Sequence, residues 1–244
     1  MGLIDEPRAV TRRLMNLIYV IDKSGSMSGG KIQSVNDAIE NLIPMVQEIS
    51  ENNPDAEVKI SALQFSDDAE WTYDEPRSPE DFSWIPIVAG GMTSLGAACR
   101  LLEKNLHREN GFMNSKAGYL APVIILMSDG GPNDDFEGGL AVLKKNSWFK
   151  HAIKIAIAIG EDADKDVLAE FTGSLESVVV VHNLDALKTM IRAVTITSTQ
   201  IGSSTNTSTG NDKQSQTETS IKKIVDNTSG ASVATDADGE EDNW

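Results

Sequence analysis

The sequence predicts an α/β protein: an open, mostly parallel, doubly wound sheet with helices on both faces. Short runs rich in Val, Ile and Leu recur along the chain and most end in Asp, Ser or Gly, as strands buried on both faces do. Between them, apolar residues return every three or four positions, the pattern of helices that cover a sheet. Strand, helix and strand follow one another in that order, and such sheets carry their ligand chemistry at the carboxyl ends of the strands.

The first run, 14–21, ends at Asp22, and the second, 58–65, ends at Ser66-Asp67. A third, 123–127, ends at Ser128-Asp129, a fourth, 153–159, ends at Gly160, and a fifth covers 178–181. Helical spacing joins Ile32, Val35, Ile39, Leu42, Val46 and Ile49, then Leu95, Ala98, Leu102 and Leu106, then Leu184, Leu187, Ile191 and Val194. Residues 69–73 read as an extra edge strand. Pro44 predicts an interruption and a kink in the first helix, because it lacks a backbone donor.

With 244 residues, 40% hydrophobic and 24% charged, the chain has the composition of a globular protein and not of a disordered or fibrous one. Its longest apolar run, 120–127, contains a proline and falls far short of the roughly 20 residues of a membrane helix. The opening MGLIDEPRAV lacks the basic-then-apolar pattern of a secretory signal. One cysteine, Cys99, permits no internal disulfide and no zinc site by itself, so a cytoplasmic setting is expected. A net charge of −16 repels nucleic acid and anionic lipid at long range, and neither is expected as a partner.

Composition divides the chain into a body, residues 1–196, and a segment, 197–244, that reads as a flexible, acidic, Ser/Thr-rich tail. In residues 197–220, 13 of 24 are Ser or Thr, too polar to offset the entropy of ordering them. Such a segment offers phosphorylation sites. The alternative is that Ile221, Ile224 and Val225 dock on the sheet as a short helix.

The chemistry concentrates at the strand ends. Asp22-Lys23-Ser24-Gly25-Ser26 places one carboxylate and two hydroxyls at alternate positions in a turn that opens onto a helix. Thr93, in the loop Gly90-Gly91-Met92-Thr93, and Asp129, followed by Gly130-Gly131, stand at comparable places. Convergence of these loops would surround one cation with two carboxylates and three hydroxyls, hard oxygen donors suited to Mg²⁺ and, second, Mn²⁺. Without a cation Asp22 and Asp129 would repel each other. The acids Asp67, Asp68, Glu70, Asp134, Asp135 and Glu137 are expected near the same rim. A competing reading takes Gly25 to Lys31 as the G-x4-G-K core of a phosphate-binding loop and hence of a nucleotide-dependent enzyme; Ile32 stands where that loop needs Ser or Thr. His107, His151 and His182 are expected at the surface, Cys99 in the core, and Trp71, Tyr73 and Trp84 as residues that pack rather than bind.

Asp-x-Ser-x-Ser at 22–26, Thr93 in its glycine-rich loop and Asp-Gly at 129–130 together resemble the metal-ion-dependent adhesion site of von Willebrand factor A domains, over about residues 12–196. The runs RRLMNLIYVIDKSGSM and GGMTSLGAA are most similar to the cytoplasmic, tellurium-resistance TerY-like group. That resemblance implies Mg²⁺ at the top of the sheet, held by Asp22, Ser24, Ser26, Thr93 and Asp129, with one position left for a partner's Asp or Glu. It implies no catalysis. It further implies a role in bacterial stress or tellurite resistance, as scaffold or phosphorylated adaptor for a Ser/Thr kinase and a PP2C-like phosphatase.

Overall fold

The computed structural model describes residues 11–204 and 210–235. Among these the sheet has seven strands in the order β3-β2-β1-β4-β5-β6-β7. The central five, β1 (Arg13–Asp22), β2 (Ala56–Phe65), β4 (Val123–Ser128), β5 (Ile153–Ile159) and β6 (Val178–Val181), are parallel. The edges β3 (Ala69–Trp71) and β7 (Ala231–Val233) run antiparallel. The sheet is doubly wound as the sequence predicts, and residues 69–71 of the expected edge segment form β3.

Alternation along β1 splits the core into two layers. Leu17, Tyr19 and Ile21 join the layer of α1 (Gly30–Glu51), α6 (Leu184–Ser203) and α7 (Gly210–Val225). Ile18 and Val20 join that of α2 (Leu95–Asn105), α3 (Phe136–Leu143), α4 (Ser147–His151) and α5 (Lys165–Thr172). All these β1 side chains are 0–1% exposed, which explains why their run carries no polar alternation. Asp164, Asn183, Asp135 and Asn146 cap α5, α6, α3 and α4 by accepting from backbone N–H groups of the first turn. Helices α2 and α3 meet backbone to backbone: a Cβ on Gly139 would lie 2.4 Å from the Gly96 carbonyl oxygen, so this crossing requires glycine. It draws the loops before the two helices together on the rim.

Two expectations are corrected. Helix α1 is not interrupted but continues through Pro44, which lies on the exposed face. The tail is the larger correction. Helix α6 runs past residue 196 to Ser203, and α7 and β7 follow on the body. Ile221 and Val225 are 2% and 3% exposed, the docking that the apolar triplet allowed. Gln214 completes the attachment: its side-chain amide accepts from Lys154 N at 2.8 Å and donates to Lys154 O at 3.0 Å. Because β6 pairs with β5 only from Ala156 onward, this amide occupies a stretch of β5 that β6 leaves open. Lys213 Nζ donates to Gly202 O and Ser204 O at the end of α6. Ser198, Thr199, Ser203 and Thr217 are 0–1% exposed, so these hydroxyls are not displayed for phosphorylation. The acidic stretch 236–242 and the opening MGLIDEPRAV lie outside the described residues.

Candidate metal centre

Strand β1 delivers Asp22 as its last residue, in register with Phe65 of β2, and β4 ends beside it at Ser128, with Asp129 following. The turn after β1 folds back at once: Ser24 N donates to Asp22 Oδ1 at 2.8 Å, and Gly25–Met27 form one 3-10 turn before α1. From there a chain of contacts crosses the rim. Ser24 Oγ lies 3.0 Å from Ser26 Oγ, and Ser26 Oγ donates to Asp129 Oδ1 at 2.7 Å. Four of the five candidates, Asp22, Ser24, Ser26 and Asp129, therefore share one hydrogen-bonded network built from two strand ends.

Thr93 reaches the same rim through its backbone. Gly25 N donates to Gly91 O at 3.0 Å and Gly90 N to Lys23 O at 2.7 Å, so the loop is laced to the turn. Gly91 has φ +83°, and a Cβ there would lie 2.8 Å from an Asp67 carboxylate oxygen, which restricts the position to glycine. Thr93 N and O both bond Asn133, at 3.1 and 2.9 Å. Thr93 is 6% exposed, Asp22 0%, Ser24 2% and Asp129 5%, whereas Ser26 is exposed.

Neither carboxylate is unpaired, contrary to a simple picture of mutual repulsion. Asp22 Oδ2 accepts from Ser128 Oγ at 2.6 Å, and Asp129 Oδ2 accepts from Lys31 Nζ at 2.5 Å. Burial raises the Asp22 carboxyl above the usual carboxylate range; bonds from Ser128 and Ser24 pull it back in part, and the charge of Asp129 adds a small upward push. The donor set fits a hard divalent cation: carboxylate and hydroxyl oxygens, with no sulfur or imidazole in the network. Among the described residues no group of three or more His, Cys, Asp or Glu is placed to hold a metal, so a cation here would meet only two carboxylates. It would keep its attraction for an outside anion.

The expected acidic rim has more local duties than its charge suggests. Asp67 Oδ1 accepts from Met92 N at 2.9 Å. Asp134 accepts from Gly96 N and Ala97 N at 2.9 and 2.8 Å, at the start of α2. Asp135 caps α3 and pairs with Arg100, and Glu70 pairs with Lys23. Sequence reasoning missed Ser128, Asn133 and Asp134 as positioning residues and Lys31 as the partner of Asp129. Ser128-Asp129 adjacency was visible; the other three needed the third dimension.

The histidines stand apart from this network. His107 contacts Glu103, His151 the Ser147 carbonyl, and His182 Ser232 and Glu161. Cys99 is fully buried, with its thiol pushed up to about 12 by burial. Trp71 Nε1 bonds Asn105, Trp84 Nε1 bonds Asn36, and Tyr73 sits edge-to-face on Phe82, so these aromatics pack as expected. No helix among the described residues is long and apolar enough to cross a membrane.

A sheet wound in this way, with an oxygen network at the ends of β1 and β4, is that of the von Willebrand factor type A family, whose model matches residues 16–193; the chain belongs to that family. A stretch of human (Homo sapiens) inter-alpha-trypsin inhibitor heavy chain H4 is 31% identical over 137 residues, 52% of this chain but 13% of that protein. Proximal thread matrix protein 1 of the mussel byssus, in a structure with a zinc-occupied MIDAS motif, is similar in fold: TM-score 0.57, 20% identity, over 76% of this chain and 48% of that one. A von Willebrand factor type A protein of Catenulispora acidiphila gives TM-score 0.56 and 14% identity, over 77% of this chain and 43% of that one. The chain thus spans about half the length of these solved relatives or less.

Proposed function

We propose that the strand-end rim binds Mg²⁺, or Mn²⁺ in its place, through Asp22, Ser24, Ser26, Thr93 and Asp129, and captures an Asp or Glu carboxylate of a protein partner. One observation carries the reading: the hydrogen-bonded chain Ser24–Ser26–Asp129 joins residues 103 positions apart, converging oxygens that a turn or a helix cap alone would not bring together. The zinc-occupied motif of the mussel relative supports a divalent ion at the corresponding place. The bound ion supplies positive charge on an acidic protein, and Asp22 and Asp129 offset it only formally, leaving attraction for one further hard anion.

The module is noncatalytic in this reading. The three histidines are engaged elsewhere, so Ser24 and Ser26 have no imidazole base in the network. Lys31, which a phosphate-binding loop would turn toward a nucleotide, is spent on Asp129. The finer assignment follows the TerY-like runs at 12–27 and 90–98: a cytoplasmic scaffold in a stress or tellurite-resistance system, serving a Ser/Thr kinase and a PP2C-like phosphatase. The single buried cysteine fits a reducing compartment.

Thermal unfolding with and without millimolar Mg²⁺ or Mn²⁺ tests the metal, because a ligand that binds only the folded state raises the melting temperature. The expected result is a rise of several degrees that Asp129→Ala removes; equal melting temperatures would refute the metal centre. A carboxylate peptide that binds equally well in EDTA would refute the capture mechanism.

A further inference from the structure

We propose that Lys31 is the resident counter-cation of this site, and that a divalent ion enters by taking Asp129 from it. The proposal rests on the metal reading above and adds what the ion must displace. The Asp129 side chain is 0% exposed, and both its oxygens are already used, Oδ1 by Ser26 Oγ at 2.7 Å and Oδ2 by Lys31 Nζ at 2.5 Å. A buried carboxylate with neither metal nor ammonium would be costly; the lysine removes that cost while the site holds no ion.

Three features mark the ammonium as replaceable rather than structural. Lys31 is the second residue of α1, at the positive end of the helix dipole, where a cation is disfavoured. The first turn of α1 holds no acidic residue, so it is Asp129 that keeps Lys31 in place. The lysine side chain remains 35% exposed, and its flexible stem lets the charged head swing into water.

Charge arithmetic turns this contact into competition. Asp22 and Asp129 together balance one divalent ion, and a third positive charge, the ammonium held against Asp129, would repel it. Lys23, the other lysine of the turn, is paired with Glu70, and Asp22 is held by hydroxyl and amide donors. Lys31 is therefore the one ammonium among the described residues bonded to a candidate ligand. It weakens the metal by the strength of its own bond to Asp129, and sets how much free ion the site needs before it can capture a carboxylate.

Calorimetric titration of the full chain with Mn²⁺ at fixed ionic strength tests this, comparing wild type with Lys31→Met, which keeps the stem without the charge, and Lys31→Arg, which keeps the charge. Losing a charged hydrogen bond that competes with the ion predicts about tenfold tighter Mn²⁺ binding for Lys31→Met and near wild-type binding for Lys31→Arg. The metal-free Lys31→Met protein should melt several degrees lower, and saturating Mn²⁺ should close that gap, because the ion takes the place of the ammonium. A purely structural lysine would not improve metal affinity when removed. Should Lys31→Met fail to fold alone, folding on addition of Mn²⁺ supports the proposal and failure to fold with Mn²⁺ overturns it. Unchanged or weaker binding in Lys31→Met, with wild type still binding, refutes the role of Lys31 alone; no Mn²⁺ binding by wild type refutes it together with the metal centre.

Discussion

At the strand-end rim Ser26 reaches Asp129 and Ser128 reaches Asp22, contacts that span 103 and 106 positions. On α6 and α7 the same residue types turn inward or back on their own helix: Thr217 Oγ1 donates to Lys213 O, while Ser198 Oγ and Thr199 Oγ1 are buried without a partner among the described residues. Both regions are rich in hydroxyls, yet one converges its oxygens and the other uses small side chains to let a helix lie close against the sheet. What separates them is the source of the hydrogen-bond partner. Side chains bonded across distant strands form a site; side chains bonded back on their own helix, or packed without a partner, form a wall, which Thr195 ties to β1 by accepting from Tyr19 OH at 3.3 Å.

The largest test of this contrast removes the wall. Deleting everything after residue 203 strips α7 and β7, and with them the buried Ile221 and Val225. Two such aliphatic side chains are worth about 3–6 kcal/mol, a large share of a typical stability of about 5–15 kcal/mol. A fall in melting temperature of roughly 10–20 °C is expected, measured by calorimetry. A truncated protein that melts like the full chain would restore the view of this region as a dispensable tail.

Next comes the rim. Asp22→Asn keeps an oxygen to accept from Ser24 N and leaves the Ser128 hydroxyl free to turn, but removes a buried charge whose carboxyl is already pushed upward by burial. Metal affinity should fall by about a hundredfold, while the metal-free protein gains about 1 kcal/mol. Titration and denaturant unfolding on the same preparation check the opposite signs. Loss of both affinity and stability would mean that the charge of Asp22 is needed for folding.

The parallel core was legible, and the five candidate ligands could be named, because each rests on a local signal. Unbroken runs such as 14–21 announce strands buried on both faces, and Asp22, Thr93 and Asp129 each follow directly on a run or sit in a glycine-rich loop. The C-terminal elements were not legible, for a physical reason. Composition treats Ser and Thr as solvated, but Thr217 satisfies its hydroxyl on its own helix, and Gln214 replaces a strand partner with a side-chain amide. Neither leaves an apolar period to read. Lys31 illustrates a third case: its spacing from Gly25 suggested phosphate, and only the fold showed Asp129 beside it.

A smaller effect is expected at Thr93. Thr93→Ala takes one neutral oxygen from the rim without altering net charge, and the two backbone bonds to Asn133 hold the loop in place. Binding of Mn²⁺, and of a carboxylate peptide in its presence, should weaken by about three- to tenfold, the worth of one neutral ligand bond. Unfolding should be nearly unchanged. No effect on either binding step would remove Thr93 from the site.

The smallest expected effect reverses the usual sign of a core substitution. Ser198 is 0% exposed and its hydroxyl has no partner among the described residues, so in the folded state it is desolvated with nothing there to offset the loss. Ser198→Ala removes that oxygen, leaves at most a small void, and favours the helix slightly. A gain of about 0.5–1 kcal/mol follows, or a few degrees in melting temperature. At the rim, by contrast, Ser26→Ala should cost metal affinity, because that hydroxyl joins Ser24 to Asp129. If Ser198→Ala destabilises instead, the hydroxyl has a hydrogen-bond partner in solution, and α6 is held by a polar contact as well as by close fit.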